Sequence, residues 1–467
     1  MAPTRVVMTV VPTVVPTAGP DMTAEPMAEP TGAQTAEPTV ARTAGPMAEP
    51  TVARTAEPTV PRDARGGPHA QVRPALSRCL DVDVEEFAAT FWGERPHVST
   101  TGGFDDLFSA EAVDELLTHR GLRTPFLRMA RNGTVLPESR YTASGGAGAR
   151  IADQVDAAAV YREMNAGATL VLQGLHRTWE PVRTFARQLV LDLGHPVQVN
   201  AYVTPAGSQG FASHYDTHDV LVLQIAGTKA WRMHEPVVPH PERSWENVRD
   251  RVAQRAQDPP YLERDLVPGD CLYLPRGWLH SAAAQEDLTI HLTIGIHALT
   301  AADVLRHAAR RARTNPALRA NLPLGVTADP GELAAAIAPV LKEAAGDLAQ
   351  VDPDSLARDL LADLDAAARP EPIAPLRQLR AADSLGPESR VRLPHGSRAT
   401  VHPEGDRVLL TAAGRQVGAP AQCRDALTLI ATGATVAPSE LPGLDPVAGV
   451  TLVRRLLDDA MVVPVEQ

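Results

Sequence analysis

Between residues 169 and 297 the hydrophobic pattern has a period of two, in short runs closed by glycine or proline. "TLVLQG", "VQVNAYVTPAG", "DVLVLQIAG", "KAWRMHEP", "DCLYLPRG" and "LTIHLTIGIH" succeed one another without long helices between them. Such alternation sends successive side chains to opposite faces of a strand. Parallel pairing would need long crossover connections, so the segment is expected to form an antiparallel sandwich or barrel.

The flanks have the helical period. In "LDVDVEEFAATFWGERPHV", Phe87, Phe91 and Trp92 share a face and Pro96 ends the pattern. "SAEAVDELLTHRG" starts at a Ser109 cap and stops at Gly121, and Val182, Phe185, Leu189 and Leu193 line one side of "RTWEPVRTFARQLVLDLG". Helices return after Ala298, with apolar stripes at Val304, Leu305 and Ala308 and at Leu333, Ile337, Leu341 and Ala344. A helical insert that follows a complete barrel has little core of its own, so these stripes are expected to pack on a second copy with two-fold symmetry. The last part reads as two strands, "RVRLPHGSRATVHPEG" and "RVLLTAAGRQVGAP", followed by helices, the pattern of a winged-helix unit.

The first part repeats "AEPT" and "TVARTA" and has too few large apolar groups to offset the entropy of ordering. It is expected to be a disordered, passive tail. The expected organisation is thus a tail at 1–70, a β core with N-terminal helices at 71–298, a helical dimerisation region at 299–383 and a winged-helix-like part at 384–467. The fold class is α+β with a mainly β core.

The net charge of −12 disfavours direct binding to nucleic acid. Three scattered cysteines offer no disulfide framework, which suits a reducing cytoplasm. No apolar run is long enough to span a membrane, and prolines at 12 and 16 interrupt the only stretch resembling a leader.

The chemistry gathers in "HYDTHDVLVLQIAGTKAWRM". On a strand His214 and Asp216 project together, with Tyr215 opposite. One imidazole and one carboxylate make two-thirds of a facial triad. The third ligand is expected to be His280 in "VPGDCLYLPRGWLHSAAA", 66 residues further on, where the turn at 275–277 returns the chain. Two histidines and a carboxylate leave adjacent positions open on an octahedral ion, as in non-haem Fe(II) oxygenases. An electron source is then required, and 2-oxoglutarate supplies electrons by decarboxylation. Its distal carboxylate needs a buried cation. Lys229 on "TKAWRM" is the candidate, with Trp231 on its face. Asn200 in "VNAYVTP" could donate its amide to the same ligand, and Tyr202 shares its face; a buried Asn satisfied by the backbone is the competing reading. His218 and Asp219 are taken for outer or rim residues, and His291 for a lining residue rather than a ligand.

"NAYVTPAGSQGFASHYDTHDVLVLQIAGTKAWRMHEP", "PGDCLYLPRGWLHSA" and "LTIHLTIGI" closely resemble the JmjC-type, cupin-like ribosomal oxygenases. "FAATFWGERPHV", "GATLVLQGLHR", "NPALRANLPLG" and "LPGLDPVAGVTLVRRLLDDAMV" extend the likeness over about residues 75–467. The resemblance implies a double-stranded β-helix, Fe(II), 2-oxoglutarate and O2. It also implies hydroxylation of a histidine or arginine on a basic protein, ribosomal in this family, by a homodimer. Iron would sit on His214, Asp216 and His280, and 2-oxoglutarate on Lys229. Members that act on arginine commonly have Arg at the position of Lys229, and those that act on histidine have Lys. The repetitive tail departs from the family pattern. The rival readings are the same chemistry on a small metabolite or peptide, and a cupin-like binding module without turnover.

Overall fold

The computed structural model describes residues 73–465, except 149, 210, 370 and 413. The repetitive tail lies outside the described residues.

The strands run in chain order β1 (His97–Thr100), β2 (Leu127–Arg131), β3 (Thr134–Val135), β4 (Thr142–Ala143), β5 (Gln154–Val155), β6 (Thr169–Leu172), β7 (Val197–Thr204), β8 (Asp219–Ala226), β9 (Lys229–His234), β10 (Leu262–Leu266), β11 (Asp270–Leu274), β12 (Leu279–Ala284) and β13 (Thr289–Ile296). All six stretches with a period of two form strands. With β1, β2, β3, β10 and β12 they build a large antiparallel sheet of order β1-β11-β8-β13-β7-β6-β2-β3 and a second sheet of order β10-β9-β12.

β8 explains the layering. Every residue from Asp219 to Ile225 is buried, because the strand is covered on both faces. Leu221, Leu223 and Ile225 join Leu292, Ile294 and Val199 under a helical layer. Val220 and Val222 point the other way and meet Trp231, Met233, Leu266, Leu272 and Leu274, so the second sheet lies across this face. The turn into β9 needs Gly227: it has φ +64°, and a Cβ there would stand 2.4 Å from the Leu288 carbonyl oxygen.

The helical layer is built as its capping residues predict. Asp83 accepts from the Glu86 amide at the start of Val84–Thr90, and Ser109 accepts from Ala112 at the start of Ala110–His119. Val182, Phe185 and Leu189 of the helix Glu180–Leu193 are buried against the large sheet. Cys79 and Cys271, remote in sequence, are buried neighbours whose free thiols interact.

Helices Ala301–Ala312, Pro330–Ala349 and Pro353–Ala368 follow. Thr300 and Asp303 form a reciprocal capping box on the first, and Asp329 caps the second by accepting from Gly331 and Glu332. Ala308, Leu356 and Leu360 make a small cluster. Pro330–Ala349, although rich in alanine and leucine, has no buried residue.

The C-terminal part has its own core around Val408, Leu410, Leu427, Val453 and Leu456. It differs from the two strands expected. "RVRLPHGSRATVHPEG" breaks at a turn in which the Ser397 amide donates to the Pro394 oxygen. Its halves are β14 (Val391–Arg392) and β15 (Ala399–Glu404). "RVLLTAAGRQVGAP" folds back near Gly414, φ +71°, into β16 (Arg407–Ala412) and β17 (Arg415–Pro420). β15, β16 and β17 form a meander, and β14 pairs with β18 (Val463–Pro464). Helices Arg424–Ala431 and Pro446–Asp458 lie between the meander and β18. Among the described residues no helix is long and apolar enough to cross a membrane.

Candidate metal centre

His214 lies in the extended segment that enters β8, and His280 is the second residue of β12. The two are locked together by a backbone pair: the His214 amide donates to the His280 oxygen at 3.1 Å and the His280 amide to the His214 oxygen at 2.8 Å. Their rings stand 4.4 Å apart between centroids. One nitrogen or oxygen from each of His214, Asp216 and His280 falls within 4.8 Å of the others. The structure thus brings together the three residues that sequence spacing nominates.

One detail differs. Only His214 makes a strand-like bridge, and Asp216 sits in the loop before β8. The chain is still extended there, so the alternation holds: Tyr215 points the opposite way, is buried, and its hydroxyl donates to the Arg243 oxygen. The Asp216 carbonyl accepts from Gly277 at 3.0 Å, which ties this loop to the turn ahead of His280.

The donor set suits a divalent transition metal. His214 Nδ1 is 2.8 Å from the Ala212 oxygen and His280 Nδ1 is 3.1 Å from the Trp278 oxygen, so both rings carry the proton on Nδ1 and offer Nε2 as the lone pair. Burial, with His214 beside it, pushes His280 down to about 4, so the ring is neutral at pH 7. Burial acts to raise the Asp216 carboxyl, but His218, His280, His214 and Arg128 together hold it below the usual carboxylate range. Two imidazoles and one carboxylate are the set that such an ion takes.

Lys229 opens β9 and is buried, with its Nζ donating to the Thr204 hydroxyl at 3.2 Å. Burial pushes its ammonium down to about 7. Its face continues through Trp231, which stacks at 6.0 Å on His280 and meets His291 edge-on at 5.6 Å. In the β9–β12 register, His280 pairs with Met233 and Ala284 with Lys229, so about 14 Å of strand separates the two ends. That leaves room for a short dicarboxylate between ammonium and metal ligands. Trp231 Nε1 and His291 Nδ1 are buried without hydrogen-bond partners, which is how groups awaiting a polar ligand stand. His291 lines this region, with Tyr202 stacked on it at 5.0 Å, and it is not among the clustered ligand atoms.

Asn200, Tyr202 and Thr204 share the β7 face opposite buried Val199, Ala201 and Val203. The Asn200 side-chain oxygen accepts from the Gly174 amide at 3.0 Å, so at least this end is satisfied by backbone. Tyr202 is half-buried, and burial raises its hydroxyl above the ordinary value.

Of the two alternatives for Asp219, outer residue or rim, the structure supports the outer one. Asp219 is buried, and its carboxylate accepts from the Tyr273 hydroxyl at 2.8 Å and the Arg276 amide at 2.9 Å. It pins the turn that delivers His280. Gly277 completes that turn at φ +87°, where a Cβ would lie 2.8 Å from Pro241. His218 contacts Gln198 and His297 and is not among the clustered ligand atoms.

The model of the JmjC domain family matches residues 176–304 of this chain. This part of the chain is similar to a JmjC domain. All three clustered ligands, Lys229, Asn200 and Tyr202 fall inside it. The chain is 30% identical over 223 residues to mouse ribosomal oxygenase 2, covering 46% of this chain and 45% of that protein. It is 36% identical over 141 residues to human ribosomal oxygenase 1, covering 30% and 22%. Over 102 residues it is 40% identical to the bifunctional lysine-specific demethylase and histidyl-hydroxylase NO66 of Drosophila pseudoobscura pseudoobscura, covering 22% and 10%. The match spans less than half the length of each of these relatives. Among solved structures, Escherichia coli ribosomal oxygenase YcfD is similar over 83% of this chain and 99% of that one, at 17% identity and a TM-score of 0.48.

Sequence reasoning missed two residues near the site. Thr204, which holds Lys229, was legible in principle, since it continues the Asn200–Tyr202 alternation on β7. Arg128 on β2 acts electrostatically on Asp216 and Tyr202 and lies 5.5 Å over the Phe211 ring. No motif marks it.

Proposed function

We propose that the chain is an Fe(II)- and 2-oxoglutarate-dependent oxygenase that hydroxylates a side chain of a basic, ribosomal protein. The observation that carries this reading is the conjunction of the His214–Asp216–His280 cluster with a buried ammonium, Lys229, that faces a hydroxyl and no carboxylate. The matching relatives are named ribosomal oxygenases.

In this mechanism His214, Asp216 and His280 hold iron on one side, and their hydrogen bonds to Ala212 and Trp278 keep each Nε2 aimed. Lys229 and Thr204 take the distal carboxylate of 2-oxoglutarate. Asn200 and Tyr202 line the same compartment. Trp231 packs between the two ends and excludes water. Bound there, iron and 2-oxoglutarate would supply oxygen activation, with one atom of O2 going to succinate as CO2 leaves and the other to the substrate side chain. Binding of the anion restores full charge on Lys229, which burial alone has lowered.

The target is a histidine or an arginine, and Lys229 aligns the chain with the histidine-directed pattern. A second copy docks on the helix Pro330–Ala349, and the C-terminal unit serves as a winged-helix-like platform for a macromolecular substrate. The test is mass spectrometry of ribosomal proteins from cells with and without this gene, paired with succinate release by the purified protein. One added oxygen on one peptide, present only with the gene and restored in vitro, is the expected result. Absence of any such peptide and of succinate formation over a broad substrate panel would overturn the reading.

A further inference from the structure

Outside the metal centre the molecule has a cavity of about 260 Å³, lined by His176, Arg177, Arg183, Arg187 and Arg369. It lies on the helical side of the large sheet. His176 sits in the short helix Leu175–Thr178, Arg183 and Arg187 are one turn apart on Glu180–Leu193, and Arg369 ends Pro353–Ala368 in the left-handed conformation, φ +48°. Val197 of β7 is part of the wall, and it lies on the face opposite Asn200 and Tyr202. This is therefore a second compartment, not an extension of the first.

We propose that this cavity binds the phosphoryl group of a small phosphorylated ligand. Four arginines line one small volume, an accumulation of like charge that folding alone does not favour. Arg177 is held below its ordinary value by burial and then by Arg369, a like charge. No ion pair joins Arg177, Arg183 or Arg369 to a carboxylate among the described residues. The two acidic groups that act on Arg187 are Glu371 and Glu180, and Glu371 is committed to Arg392 at 2.7 Å and to the His395 amide at 2.9 Å. Arg183 donates to the Arg177 carbonyl at 2.7 Å, which fixes the corner between the two helices. His176 Nδ1 accepts from the Val199 amide at 3.1 Å, so its proton is on Nε2 and the ring is a neutral donor.

A phosphate suits this set better than a carboxylate does. A carboxylate saturates one guanidinium fork, whereas a phosphate presents three oxygens and up to two charges to several forks at once. Arg177 and Arg369 are exposed at the mouth and Arg183 and Arg187 are half-buried behind them, so an anion enters from solvent. The net charge of −12 opposes a long polyanion, so the ligand is small.

The experiment is isothermal titration of the full-length protein with inorganic phosphate, pyrophosphate, citrate and a single-stranded RNA at low ionic strength. Saturable one-to-one binding of pyrophosphate, weakened about tenfold or more by Arg177→Gln with Arg369→Gln, is expected from losing charge-assisted bonds. Both residues are exposed, and the variant's ligand-free melting temperature should stay level or rise because like charges are removed. Pyrophosphate should raise the melting temperature of the wild type and not of the variant. The proposal fails if neither phosphate nor pyrophosphate saturates, if citrate or RNA binds in preference, or if binding ignores the two arginines. Binding that survives their removal but is lost in His214→Ala would assign the anion to the metal centre and equally overturn it.

Discussion

β8 and the helix Pro330–Ala349 are both apolar, yet β8 is buried from Asp219 through Ile225 while the helix has no buried residue at all. Ile337 is 39% exposed and Leu341 64%. Both elements are locally well specified, one by alternation between two layers and the other by an Asp329 cap and helix-forming residues. What separates them is the second surface. β8 finds both its partners within the chain, in the helical layer and in β9–β11, whereas the helix meets its neighbours along one side only, with Leu348 against Ala308, Leu356 and Leu360, and leaves Ile337, Val340 and Leu341 exposed. An unpartnered stripe of this kind is what a homodimer face needs. The contrast also sorts the chain: the self-sufficient core holds the clustered His214, Asp216 and His280, and the helix leaves apolar side chains exposed.

The sharpest break in this comparison would come from the core. His214→Ala or Asp216→Ala should abolish turnover and weaken metal binding by more than about 100-fold, which is the upper end for losing even a hydrogen-bond partner of a ligand. The melting temperature should move little, because the layers around β8 are apolar. Succinate release, metal titration and calorimetry check this. Turnover retained in either variant would remove the triad from the reaction.

Next come paired truncations. Leu223→Ala, fully buried, should lower stability by about 2–5 kcal/mol. Leu341→Ala should stay within about 0.5 kcal/mol for the isolated subunit. Ile337→Glu with Leu341→Glu should convert a particle of twice 49.7 kDa to one of 49.7 kDa by light scattering. A wild-type protein that stays monomeric at high concentration would show that exposure of this helix has another meaning.

Lys229→Ala should raise the 2-oxoglutarate requirement on the order of 10- to 100-fold, the worth of a charge-assisted bond to a buried carboxylate. Metal affinity should change far less, and loss of metal with an unaltered 2-oxoglutarate response would misplace the lysine.

The smallest effect is a slope. Lys229 sits at about 7 against an ordinary 10.5, so between those values the unfolded chain holds a proton that the folded chain has shed. Stability should therefore rise with pH from about 7 toward 10 in the ligand-free protein. His291, the titratable neighbour, is kept neutral by burial and by Lys229 and adds no opposing slope there. Lys229→Met should flatten that slope and raise the melting temperature at pH 7, and an unchanged pH profile would locate the titration elsewhere.

Much of this was legible in the chain alone. Alternation announced β6 to β9, β11 and β13, the Ser109 cap announced a helix, and the spacing of His214 and Asp216 nominated two members of the cluster, because each is a relation between residues a few positions apart. The strand breaks at Pro394 and Gly414 were not separated because strand-like residues stand on both sides of each turn. His280 was nominated from the returning turn at 275–277, but the backbone pair that locks it to His214, the burial of Asp219 under Tyr273 and the Arg276 amide, and the meeting of Arg177 with Arg369 were beyond local reading. They depend on strand order and on which loops close, where the favourable terms come from contacts between residues tens to hundreds of positions apart. The sequence by itself determined the donor types and the periodicity of each element. Only the tertiary structure decided which donors share a site, because it alone closes those distances.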